Sequence, residues 1–155
     1  MPERTYKSDL STDEKVLMAI VRAAEIFKRN HSAVFRKYGL SFPQYNVLRV
    51  LEASMGGRNK MSEVSRIMLV PGANITGIAK RLEKDGFIVK KPLPGDDRVT
   101  LLEITPKGQK TLKNIEKEKD DWLTIMLEDL SASERLDILD KVRRIIRNGR
   151  NGTHQ

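Results

Sequence analysis

The chain has 155 residues, enough to bury one or two modest hydrophobic cores and nothing larger. Lysine and arginine outnumber aspartate and glutamate, 29 against 21, for a formal charge of +8 and a pI near 9.8. This balance favours polyanionic partners, although an acidic membrane surface or an acidic protein would also suit it. The absence of cysteine excludes disulfides, thiolate metal sites and thiol-based redox switching.

The cationic excess is uneven. Residues 58–98 carry nine cations and five anions, whereas residues 99–130 carry five and seven. A near-neutral stretch beside a basic one suggests an interface next to a polyanion-binding region. No apolar run approaches the roughly 18 residues of a membrane-spanning helix, and Met1–Asp13 lacks a signal-peptide core. A cytoplasmic protein with no membrane partner is expected.

Ser11-Thr12-Asp13-Glu14 reads as a capping box opening a first helix, whose Val16, Ile20, Ala23, Ala24 and Phe27 recur at helical spacing. It should run to about Lys37, with Gly39 just past its end. Ser41-Phe42-Pro43-Gln44 opens a second helix, with Pro43 in the first turn and Gln44 closing the box. Gly56-Gly57 and Asn59 predict a loop. Ser62-Glu63 then starts a short helix with Val64, Ile67 and Met68 inside, and Pro71-Gly72 breaks the chain before the next helix. Two short helices joined by a tight break make a helix-turn-helix pattern.

In the following helix, Asn74–Asp85, a 100° step puts Ile75, Ile78 and Leu82 on one face. Gly77, Lys80 and Lys84 lie almost opposite, flanked by Asn74, Thr76 and Arg81. Gly86 ends this helix. A β-ribbon follows, Phe87–Lys91 out and Val99–Thr105 back, with the polar tip Pro94-Gly95-Asp96-Asp97-Arg98. Thr105-Pro106 caps a long helix carrying Leu112, Ile115, Trp122 and Met126, and Ser131-Ala132-Ser133-Glu134 caps a last one. Arg143, Arg144, Arg147 and Arg150 load its end, where the helix dipole favours cations, and Gly149–Gln155 reads as frayed.

This order predicts a mainly α fold with a small β-ribbon wing: a winged helix-turn-helix flanked by terminal helices. The predicted organisation is an N-terminal dimerisation helix over 1–40, a DNA-binding lobe over 41–105, and C-terminal dimerisation helices with a tail over 106–155. The terminal helices carry more apolar surface than so small a lobe can cover, and a two-fold homodimer is the commonest solution.

Phe42-Pro43-Gln44-Tyr45-Asn46-Val47-Leu48, the stretch Asn74–Ile88, and Asp96-Asp97-Arg98 followed by Leu101–Gly108 together resemble MarR-family winged-helix transcriptional regulators. The resemblance implies a homodimer on a pseudo-palindromic double-stranded DNA operator. It implies repression more often than activation, often relieved by a small aromatic or phenolic effector whose binding residues the sequence does not assign. Lys80 stands where family members often carry an acidic residue.

Arg98 is the strongest contact candidate, since a guanidinium at a wing tip can enter a narrow minor groove. Asp96 would orient it, because a carboxylate facing phosphates is repelled. Lys80, Arg81 and Lys84 are candidate DNA contacts on the helix face. Asn74 and Thr76 can reach base edges from its N-terminus, and Gly77 would let the backbone approach the groove. Ser62 is a phosphate-contact candidate, with plain N-capping as the competing role. No nucleophile–base constellation or glycine-rich phosphate loop is present, so neither catalysis nor a cofactor is expected. The basic surface would also suit an acidic protein partner or non-specific architectural DNA binding.

Overall fold

The structure, a computed structural model, describes residues 8–68 and 74–152, leaving aside the side chain of Asp120. Its elements are α1 (Thr12–Arg36), α2 (Phe42–Glu52), β1 (Arg58–Lys60), α3 (Met61–Ile67), α4 (Ile75–Lys84), β2 (Ile88–Leu93), β3 (Asp96–Ile104), α5 (Pro106–Leu127) and α6 (Ala132–Gly152). The mainly helical fold with a small antiparallel sheet is the one expected. The expected break at Pro71-Gly72 lies outside the described residues. The chain divides after Glu118 into two compact units.

In the first unit, α1 begins at Ser11, whose hydroxyl accepts from the Glu14 amide at 3.2 Å. Only half of the expected box forms, because the Glu14 carboxylate takes the Ser11 hydroxyl instead of its amide. The helix ends in a Schellman-type turn: Leu40 N–H donates to Phe35 O at 3.1 Å, with Gly39 at φ 75°. At Ser41 the box is complete, Gln44 N–H donating to Ser41 Oγ and Ser41 N–H to Gln44 Oε1. The core gathers Phe35 and Leu40 with Val47, Leu48 and Leu51 of α2, Val64 and Met68, Ala79 and Leu82 of α4, and Leu102, Ile104, Leu112 and Ile115. Ile67, expected inside, is exposed, whereas Ala79, not among the expected inner residues, is fully buried. At the end of α1, His31 joins Phe27, Phe35, Phe42 and Tyr45 in an aromatic cluster, and its Nδ1 lies 2.9 Å from Phe27 O.

The sheet has three strands in the order β1-β3-β2, not the two expected. Arg58, Asn59 and Lys60 pair with Glu103, Leu102 and Leu101. This segment has no apolar alternation to mark it as a strand. It is placed instead by Gly56 and Gly57, both at positive φ, and by Asn59 Nδ2 donating to Ser54 Oγ at 3.2 Å. The strands run nearly to the wing tip, so the turn shrinks to Pro94-Gly95, with Gly95 at φ 88°. Between Pro92↔Thr100 and Leu93↔Asp96 the register shifts, which leaves Asp97, Arg98 and Val99 as extra residues on β3.

In the second unit, α5 finishes at Leu127 and α6 begins at Ser131 with the expected reciprocal box: Ser131 N–H to Glu134 Oε2 at 2.8 Å and Glu134 N–H to Ser131 Oγ at 3.2 Å. The Arg135 guanidinium donates to Leu127 O and Leu130 O, tying the first turn of α6 to the turn after α5. Residues 149–152, expected to fray, are helical. No described residue of α6 is buried; Leu136, Ile138, Leu139 and Ile146 all stand exposed.

Candidate nucleic-acid interface

The candidate interface is built on α4 and the wing. Asn74 is the N-cap of α4, and its Oδ1 accepts from Gly77 N–H at 3.0 Å. A Cβ on residue 77 would lie 2.9 Å from Asn74 Nδ2, so glycine has a local reason here. The bare position lets the capping amide lie over the first turn, whether or not a groove approaches it. At the other end, Phe87 N–H donates to Leu82 O at 2.9 Å and Gly86 takes φ 80°.

That end is bolted to the start of α5. Thr105 Oγ1 donates to Gly86 O at 2.6 Å and also accepts from Gly108 N–H at 3.2 Å as the expected N-cap. Lys107 Nζ donates to Asp85 O and sits 4.6 Å from the Phe87 ring centre. Gly108 makes this junction possible: a Cβ there would lie 2.6 Å from Phe87 O and 2.7 Å from Ile104 Cγ1. The glycine of Lys107-Gly108 is therefore a packing requirement that spacing alone does not reveal.

With Ala79 and Leu82 buried, α4 turns Thr76, Lys80, Arg81 and Lys84 to solvent. These are the residues the 100° step placed away from the apolar face. The base of the wing lies beside the helix, where Lys90 N–H donates to Glu83 Oε2 at 3.1 Å and Lys90 Nζ is 4.0 Å from Glu83 Oε1. Further out, Asp96 Oδ1 accepts from both Arg98 N–H (3.1 Å) and Arg98 Nε (3.2 Å). The Arg98 side chain is 92% exposed, so Asp96 holds the Nε edge of the guanidinium while the side chain projects into solvent.

Ser62 is exposed in the first turn of α3. It is not the N-cap, a position held by Lys60, whose side chain makes no capping bond. N-capping is therefore not what Ser62 does. In the same helix, the hydrogen bond from Arg66 holds the Glu63 carboxyl below the usual glutamate range. That pairing offsets one of the cations counted in this region. Arg58 and Lys60 were not among the residues singled out from sequence. Both are exposed on β1, whereas Asn59 between them is half-buried. Only the regional charge balance hinted at them, because a polar tripeptide carries no strand signal.

A helix-turn-helix with a hairpin wing, a basic exposed helix face and a projecting wing arginine defines a winged helix-turn-helix protein. The MarR family model matches residues 38–99, which include most of the lobe. YdgJ of Bacillus subtilis, an uncharacterised HTH-type transcriptional regulator, is 31% identical over 90 residues, 56% of this chain and 55% of its own. IacR of Pseudomonas putida, an HTH-type transcriptional repressor, is 33% identical over 91 residues, 59% of this chain and 52% of its own. The chain thus spans about half the length of these curated relatives.

Among solved structures, the MarR-family regulator Sco3205 of Streptomyces coelicolor, in complex with DNA, superposes with a TM-score of 0.78. It is 22% identical and covers 94% of this chain and 92% of its own. The organohalide-sensing regulator RdhR-CbdbA1625, in its 2,4-dichlorophenol-bound form, gives a TM-score of 0.83 at 15% identity, covering 100% of this chain and 93% of its own. At these identities the two structures establish a shared fold.

Proposed function

We propose that this protein is a homodimeric, sequence-specific regulator of transcription that binds a pseudo-palindromic double-stranded operator and acts as a repressor. The observation that carries this reading is the pairing of the exposed cationic face of α4 with Arg98 on the wing. α4 enters the major groove, where Asn74 and Thr76 meet base edges and Lys80, Arg81 and Lys84 meet phosphates or bases. Arg98 enters the adjacent minor groove, oriented by Asp96. Ser62 contributes a phosphate contact from α3, and Gly77 keeps the start of α4 slim.

Dimerisation is supported by the exposed apolar residues of the terminal helices: Val16, Leu17 and Val21 of α1, Trp122 and Ile125 of α5, and Leu139 and Ile146 of α6. Side chains of this size stranded in water favour association. The relatives' names support the regulatory role, IacR being a repressor. The dichlorophenol complex of the fold neighbour supports a small aromatic effector. An open depression where α1 meets α2, lined by Ser32, Arg36, Leu40 and Phe42, offers an apolar wall and a cation for a phenolate or carboxylate.

Selection of bound genomic fragments by the purified protein, followed by titration at several salt concentrations, tests the proposal. A recurring palindromic motif is expected, with affinity falling steeply as salt rises. Equal affinity for all duplexes, or no binding at low salt, would overturn it.

A further inference from the structure

α5 is continuous from Pro106 to Leu127, but among its described side chains Ile115 is the last buried one. Just beyond Ile115, two glutamates tie the helix to the rest of its unit. Glu116 lies 3.7 Å from Arg49 of α2. Glu118 accepts from Tyr38 Oη at 2.6 Å through one oxygen and from Lys37 Nζ at 3.3 Å through the other. Tyr38 follows α1 directly and packs against the core, so this contact joins segments 80 residues apart in sequence. Division of the chain into its two units falls immediately after Glu118.

Exposed ion pairs add little to stability, so Arg49–Glu116 and Lys37–Glu118 are poor candidates for holding the fold together. The Tyr38–Glu118 bond differs because it is short, charge-assisted and anchored through a ring packed on the core. We infer that the Tyr38–Glu118 bond, flanked by Lys37 and Arg49–Glu116, is a latch fixing how α5 leaves the lobe. In the dimer it thereby sets which operator half-site spacing is accepted.

Tyr38 and Glu118 are positioning residues that touch no DNA. The inference rests on the function proposed above. Physically, it makes the latch a specificity element: a rigid exit admits one separation of the two recognition helices, whereas a loosened exit admits several.

The test uses the full chain as wild type, Tyr38→Phe and Glu118→Gln. Tyr38→Phe keeps the packed ring and removes only the hydroxyl. Amide hydrogen exchange in the absence of DNA reads the latch alone. Both variants should exchange about tenfold faster over residues 116–121, with residues 108–114 unchanged, as expected for an easier local opening. Affinity is then measured on the selected operator and on versions with one, two or three base pairs inserted between half-sites. Wild type should favour one spacing by roughly tenfold or more, and the variants should flatten that preference to about threefold while binding the best site almost as well.

Unchanged exchange in both variants would show that no latch exists. Faster exchange with an unaltered spacing profile would overturn its role in spacing. Should the wild-type protein itself ignore sequence and spacing while the exchange result holds, the DNA-binding reading falls, and the spacing role falls with it.

Discussion

The lobe and α6 solve the problem of apolar surface in opposite ways. In the lobe, short elements surround Leu48, Leu51, Leu82, Ile88 and Leu102, all at most 1% exposed. α6 has a comparable supply of apolar residues and buries none of them within the chain. The difference is one of geometry, not composition. A helix-turn-helix closed by a sheet, with the end of α1 and the start of α5 laid against it, encloses a core, whereas the apolar stripe of α6 needs another surface. In the proposed dimer the lobe would be the reader, and the helices would join one reader to another.

The most disruptive way to break this comparison is Leu139→Lys, which places a charge on the exposed stripe of α6. We expect the dimer to become a monomer in analytical ultracentrifugation and operator affinity to fall on the order of 100-fold, through loss of bivalency. If the mass stays that of a dimer and affinity holds, the stripe is not the joining surface.

The complementary change, Gly108→Ala, attacks the lobe alone by forcing a methyl group against Phe87 O and Ile104. Thermal or urea unfolding should show a loss of about 2–3 kcal/mol, typical of overpacking a tight contact. Wild-type stability in that variant would mean that the junction of α4 and α5 yields readily.

Arg98→Ala should leave both folding and mass untouched, since the side chain projects into solvent. Its cost should appear only in DNA binding, as about 1–3 kcal/mol, or roughly 5- to 150-fold weaker affinity. Wild-type affinity on a selected operator would remove the wing from the interface.

The smallest effect concerns pH. The hydrogen bond from Tyr38, followed by that from Lys37, holds the Glu118 carboxyl below the usual glutamate range. A depressed carboxyl contributes its stability at neutral pH and loses it as pH falls through the folded-state value. The same bond raises Tyr38 above its ordinary range, so at the alkaline end the contribution disappears as the phenol ionises. Glu118→Gln should therefore flatten the acid limb of a stability–pH profile slightly relative to wild type. An identical limb would mean that Glu118 gains nothing from its partners on folding.

Much of the lobe was legible in the sequence because local chemistry and final structure agree there. The Ser41/Gln44 box, the Thr105 cap and the Ser131/Glu134 box are short-range devices, and all three form. The exposed face of α4 followed from helical periodicity, and the contact of Asp96 with Arg98 agrees with the expectation that a carboxylate here turns to the arginine instead of to phosphates. β1 was not legible, since Arg58-Asn59-Lys60 has no pattern apart from its partner β3. The exposure of Ile67 depends on what surrounds the end of α3, which helical spacing cannot state.

The amino-acid order by itself determined the helices, the wing hairpin, most of the caps and the cationic face of α4, because each depends on residues within a few positions of one another. Tertiary structure alone decided that Gly108 admits the α5 junction and that Tyr38 reaches Glu118. Those choices arise where segments distant in the chain compete for the same space, and no local pattern records that competition.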